Sequence, residues 1–259
     1  MYLIVLFASM LVSFSRSANV NKHMRILSEL DKYNNIVNDV SSPTKHSGGP
    51  HKFLTVTVKP RPMYTHSSDE VLELTCEAVG MPAPSIHWFK NDAPVYEYDL
   101  ESNELIDSNP SSLARVVSTL LVSKTIDQDV YTCVMTSDAN TLRATTIVYS
   151  TDGGTQISER TKLYPLKPRV VFNYGMYVDT IGSNVVLPCR VKGHPKPMIT
   201  WKDNKGQIIK KDGRMKVLRS GELVISPLLW TDMGEFACYA TNVFGTQRVK
   251  TFVYPAKAE

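Results

Sequence analysis

The sequence has no long hydrophobic run beyond its first fourteen residues, only four cysteines, and no motif that carries catalytic chemistry. Without such a run nothing is expected to cross a bilayer, and the C-terminus, TFVYPAKAE, lacks the apolar tail of a lipid-anchor signal. Six histidines (His23, His46, His51, His66, His87 and His194) are scattered and never fall at HExxH or another ligand spacing. The cysteines lack the close-spaced pairs of a zinc site, so no metal is expected. No GxSxG elbow, phosphate-cradling glycine loop or spare nucleophilic cysteine is present, which argues against an enzyme and against any cofactor. Asn109 precedes Pro110 in NPS, and no other glycosylation acceptor occurs, so the chain must stay soluble by its charge.

What is present is globular. Apolar residues make up 42% and charged residues 21% of a 259-residue chain, enough for two domains that each bury a core. The apolar run Met1–Phe14 turns small and polar afterwards, as in a secretory signal peptide cleaved after Ser17 or Ala18. Residues 18–51 are polar and turn-rich and read as a flexible arm. Within it Ile26, Leu30, Tyr33, Val37 and Val40 follow a helical four-three spacing, which suits either a docking segment or a chance pattern in a disordered stretch. Secretion places the four cysteines in an oxidising compartment, where three pairings are open.

Shifting the sequence against itself by 113 positions superposes Cys76 on Cys189, Trp88 on Trp201 and GMPAPSIHW on GHPKPMITW. A self-match of this period marks two copies of one domain. In each copy a tryptophan follows the first cysteine by twelve residues, and a second cysteine comes much later, at Cys133 or Cys238. The strand signals agree. Leu72-x-Leu74-x-Cys76 and Val185-x-Leu187-x-Cys189 alternate toward the first cysteine of each copy, and Val116-x-Ser118-x-Leu120-x-Val122 and Leu223-x-Ile225 read as later strands. This Cys…Trp…Cys spacing resembles the immunoglobulin signature. It implies an all-β chain of two intermediate-type immunoglobulin-like β-sandwich domains in tandem, over residues 52–150 and 166–255, with a linker at 151–165 and a tail at 256–259. The resemblance implies the bridges Cys76–Cys133 and Cys189–Cys238, with core tryptophans Trp88 and Trp201. It departs at Phe236, which lacks the hydroxyl of the usual corner tyrosine, and at Asp129, where glycine is usual.

The net charge of +4 hides an asymmetry. Residues 51–150 hold 7 Lys and Arg against 13 Asp and Glu, a balance of −6, while residues 166–259 hold 15 against 7, a balance of +8. Opposite charges are therefore expected to draw the halves together, modestly because salt screens exposed charges. The basic stretch Lys210, Lys211, Arg214, Lys216 and Arg219 is either a solvated face or a site for sulfated polysaccharide or an acidic protein. Secretion excludes nucleic acid. Trp230 is not a core tryptophan, and with Leu229 and Met233 it forms either an exposed patch or a cover for the sandwich. The same question attaches to Tyr96, Tyr98 and Phe89, and to Phe172, Tyr174 and Tyr177. Of these, Tyr96, Tyr98, Phe172, Tyr174 and Trp230 are the candidate ligand-binding residues.

The second copy is more specific. GSNVVLPCRV at 182–191, ITW at 199–201, GELVIS at 221–226, WTDMG at 230–234 and TFVYP at 251–255 resemble the insect family of ecdysone-inducible secreted immunoglobulin proteins, the neural/ectodermal development factors. The match is looser over the first copy. The resemblance implies an extracellular protein that binds insulin-like peptide hormones and restrains insulin signalling; the candidate aromatics, spread over both halves, predict that the hormone is held across both domains. The alternative is a matrix or adhesion protein of neural and ectodermal development whose partner is another immunoglobulin surface or a polysaccharide.

Overall fold

The computed structural model describes residues 52–257 apart from 68–69, 96–108, 126, 152–164 and 211–212. The expected signal peptide and arm, most of the linker, and Tyr96, Tyr98 and Lys211 lie outside the described residues. The first sandwich comprises β1 (Phe53–Val58), β2 (Met63–His66), β3 (Leu72–Met81), β4 (Ser85–Lys90), β5 (Ala93–Val95), β6 (Leu113–Val122), β7 (Gln128–Ser137) and β8 (Asn140–Ser150). The second comprises β9 (Leu166–Thr180), β10 (Val185–Leu187), β11 (Cys189–His194), β12 (Met198–Lys202), β13 (Met215–Val217), β14 (Leu223–Ile225), β15 (Gly234–Asn242) and β16 (Gly245–Ala256). A 3-10 turn, Trp230–Asp232, leads into β15.

Alternation builds each core. On β3 Leu74, Cys76 and Ala78 point inward, and on β6 Ala114, Val116, Ser118, Leu120 and Val122 do so, all buried. Cys76 is bonded to Cys133 and Cys189 to Cys238, each beside its tryptophan in the core. Both indoles satisfy their N–H inside: Trp88 Nε1 donates to Ser118 Oγ at 3.0 Å and Trp201 Nε1 to the Gly221 carbonyl at 2.9 Å. The two departures from the family pattern are accommodated locally. Phe236 is fully buried as a plain apolar residue. Asp129 accepts from Asn91 Nδ2 at 2.9 Å and pairs with Lys90 at 2.9 Å, holding the β4–β5 turn, where Asn91 and Asp92 have positive φ.

The two sandwiches are not separate. One sheet runs β2-β8-β7-β4-β5 and a small one β10-β14-β13, but the third runs β1-β3-β6-β9-β16-β15-β12, with β11 also on β9. It is continuous because β9 pairs antiparallel with β6 of the first sandwich and parallel with β16 of the second. The register sets Phe172 opposite Ser118, Tyr174 opposite Val116 and Tyr177 opposite Ala114. Cross-strand partners share a face, so the three aromatics of β9 cover the core of the first sandwich. Tyr174 stacks on Tyr177 at 5.3 Å and meets Phe172 edge-on at 6.2 Å. Asp179, also buried, accepts from the Tyr177 hydroxyl at 3.0 Å and from Asn109 Nδ2 at 2.8 Å, tying the approach to β6 onto β9.

Strand pairing, not charge, therefore makes the main join. Charge contributes the Arg169–Glu73 pair across the junction, 2.6 Å apart but half exposed, and such pairs contribute about 0–1 kcal/mol. Burial pushes the Tyr174 pKa up to about 12, and burial followed by the neighbouring Asp179 carboxylate raises that of Tyr177 further. A raised phenol pKa carries no cost below the ordinary value of about 10 and weakens the fold as pH climbs through the folded value. An absorbance titration of the twelve tyrosines should leave these two un-ionised until the pH approaches 12, with unfolding releasing them. Ionisation of all twelve near pH 10 in the folded protein would show that the junction is open.

Candidate functional site: the outer face of the shared sheet

One face of the long sheet packs on the two cores; the other faces outward. The registers align Glu235, Phe252, Met176, Arg115 and Val79 in a row across five strands, from β15 to β3. The next row along joins Tyr254, Val178 and Leu113. Between Phe252 and Tyr254 the alternate residue Val253 is fully buried, which turns both aromatics outward at 40% and 41% exposure. Trp230, on the 3-10 turn, is 52% exposed and meets the Tyr254 ring edge-on at 6.3 Å. Leu229 stands exposed beside it. At the seam β9 bulges at Gly175, where a Cβ would lie 2.7 Å from Arg115 Nε, so the Arg115 side chain crosses the glycine. Its guanidinium lies 3.9 Å from Glu77.

The result is a gently twisted surface of aromatic, methionine and arginine side chains crossing from one sandwich to the other. These are the residue types enriched where proteins bind proteins, and sheet backbone holds them in place before any partner arrives.

The sequence-based candidates distribute unevenly. Trp230 belongs to this face. Phe172 and Tyr174 do not: at 7% and 2% exposure they lie inside the junction, because β9 is covered on both faces where it serves both sandwiches. His87 is exposed on β4, as its alternation with Trp88 required. In the basic cluster Lys210, Lys216 and Arg219 are exposed. Arg214 is engaged elsewhere: its guanidinium forms a two-point pair with the buried Asp232, at 2.6 and 2.8 Å, and donates to the Pro227 carbonyl. Met176, Phe252 and Tyr254 were missed by sequence reasoning. For the last two the signal was present in the TFVYP alternation.

This fold and its pair of bridged cores define a tandem immunoglobulin protein. The immunoglobulin I-set domain model matches residues 175–254, and an immunoglobulin domain model matches residues 55–137. The chain is 34% identical over 209 residues to the neural/ectodermal development factor IMP-L2 of Drosophila melanogaster, covering 80% of this chain and 78% of that protein. The chain belongs to the IMP-L2 family. The crystal structure of neural ectodermal development factor IMP-L2 superposes with a TM-score of 0.72 at 32% identity, over 81% of this chain and 97% of that one. Neural cell adhesion molecule L1 of Takifugu rubripes is 27% identical over 194 residues, which span 71% of this chain but only 14% of L1.

Proposed function

We propose that this chain is a secreted binding protein that sequesters an insulin-like peptide hormone on the outer face of the shared sheet and so restrains insulin signalling. The family resemblance supports the ligand class. The observation that carries the site is the row Phe252, Met176 and Arg115, which crosses the seam and makes one surface of two domains. Stable interfaces bury about 800 Å² on each partner, and this continuous face draws on both sandwiches. The two disulfides fit an oxidising, extracellular setting, and the fold and the lack of catalytic motifs support binding rather than catalysis.

Calorimetric titration of the full chain with an insulin-like peptide tests the proposal. Phe252→Glu or Trp230→Ala should each weaken binding by about 2 kcal/mol or more, roughly thirtyfold. Arg115→Glu, in the first sandwich, should weaken it as well. Unchanged affinity in Arg115→Glu beside a clear loss in Phe252→Glu would confine the site to the second sandwich. Failure of the unaltered chain to bind would replace hormone sequestration with the adhesion alternative.

A further inference from the structure

The second half is more basic at its surface than its composition suggests. Of its five described carboxylates, Asp179, Glu222 and Asp232 are buried among internal partners. Glu235 pairs with Lys250, and one carboxylate oxygen of Asp203 accepts the backbone N–H groups of Lys205 and Gln207 in its own turn. Glu222, Asp232 and Glu235 each take up one cation, Arg190, Arg214 and Lys250, and the excess of cations over acids in this half leaves others on the surface.

Two of those cations are held together. Lys202 on β12 and Arg248 on β16 lie over the one ring of Tyr239 on β15, at 5.1 and 5.4 Å from its centre. Neither forms an ion pair among the described residues. The electron-rich ring holds both cations close to one spot, where they repel each other, and an anion bound beside them relieves that repulsion. They line a depression of about 350 Å³ with Asp203, Asn204, Glu235 and Ala237. A second depression of about 300 Å³, lined by Ile209, Lys210, Arg214 and Met215, also includes Asp203, so the two adjoin there.

We propose that the two depressions form one track for a sulfated polysaccharide, with sulfate groups held by Lys202 and Arg248 in one depression and by Lys210 in the other. The Arg248 guanidinium offers a sulfate two parallel N–H donors, while Lys202 and Lys210 act as point charges. Asp203 keeps its negative charge where the depressions meet, but Lys202 and Arg248 in one and Lys210 in the other outnumber it. An extended polyanion fits an open track better than an acidic protein does, because stable protein interfaces centre on apolar residues with charges depleted. The lining of the larger depression is mostly charged or polar. This site adjoins the Phe252–Met176–Arg115 row, sharing Glu235 and the outer face of β15 and β16 with it, and does not depend on the hormone proposal.

The test uses the full chain and heparin oligosaccharides, with fully desulfated heparin and polyglutamate as comparison ligands. Lys202→Ala with Arg248→Ala should weaken heparin binding about tenfold or more, the loss of two charge-assisted contacts. Lys210→Ala should weaken it further. A control removing the same charge elsewhere, Lys167→Ala with Lys257→Ala, should change it much less. Equal losses in control and track variants would reduce the effect to net charge and overturn the proposal. So would equal binding of desulfated heparin. Tighter binding of polyglutamate than of heparin would assign the track to an acidic protein instead.

Discussion

Replacing Tyr174 with alanine is expected to destabilise the two sandwiches together, by about 3–5 kcal/mol, the range for truncating a buried aromatic. The ring belongs by sequence to the second sandwich, yet it faces Val116 and fills the first, while the Tyr174 carbonyl accepts from Thr251 of the second at 2.6 Å. Its loss opens a cavity at a point both cores share. Tyr174→Phe, which keeps the ring, should cost less than about 1.5 kcal/mol. Urea unfolding followed by tryptophan fluorescence and by far-ultraviolet dichroism should give one coincident transition for the unaltered chain and for both variants. Two resolved transitions, only one of them shifted in Tyr174→Ala, would mean that the sandwiches fold independently.

The second large effect is expected at a buried ion pair. Arg190 on β11, opposite Phe172 in the register, lies 3.8 Å from Glu222, and both are buried. The guanidinium sits 5.3 Å from the Phe172 ring, and the Ser220 hydroxyl donates to the Glu222 carboxylate. Taking two charges out of water is expensive, so removing Arg190 leaves the Glu222 carboxylate buried without this counter-charge, at a cost of about 3–5 kcal/mol. Arg190→Met should show that loss in urea unfolding. The double variant Arg190→Met/Glu222→Leu should lose less than the sum of the single changes, because no orphaned charge remains. Strict additivity would show that the two residues act separately.

The parts of this structure that were legible in the sequence are those with a local signature. Cys76, Trp88 and their copies 113 residues later declare two bridged sandwiches, because a bridge and a packed indole require fixed residues at fixed spacing. The alternation of β3 and β6 declares which side chains face inward. The joining of β6 to β9 had no such signature: which neighbour takes a strand's free edge is decided by backbone groups that every residue carries. One trace was visible. Val170, Val171, Phe172, Asn173 and Tyr174 are consecutive and mostly apolar, the pattern of a strand buried on both faces, and all five are buried. Treating β9 as an ordinary outer strand placed Phe172 and Tyr174 at the surface, whereas Phe252, Tyr254 and Trp230 are the aromatics exposed on the outer face of the shared sheet. Arg214 was misplaced for a related reason: composition counts its charge, but only the fold shows Asp232 beneath it.

The shared strand also orders events during synthesis. The first sandwich closes its last strand at Ser150, but the residues that flank β6 and roof its core arrive only with Phe172–Val178. At about 5–20 residues per second the ribosome needs a few seconds to supply those roughly 28 residues, and longer to clear them from its exit tunnel. Throughout that interval the nascent N-terminal half waits with the β6 edge without β9, a strand edge able to pair with a neighbouring chain. Maturation of the N-terminal half is thereby tied to emergence of the C-terminal half, and a polypeptide truncated before β9 is a candidate for retention by the folding machinery rather than release.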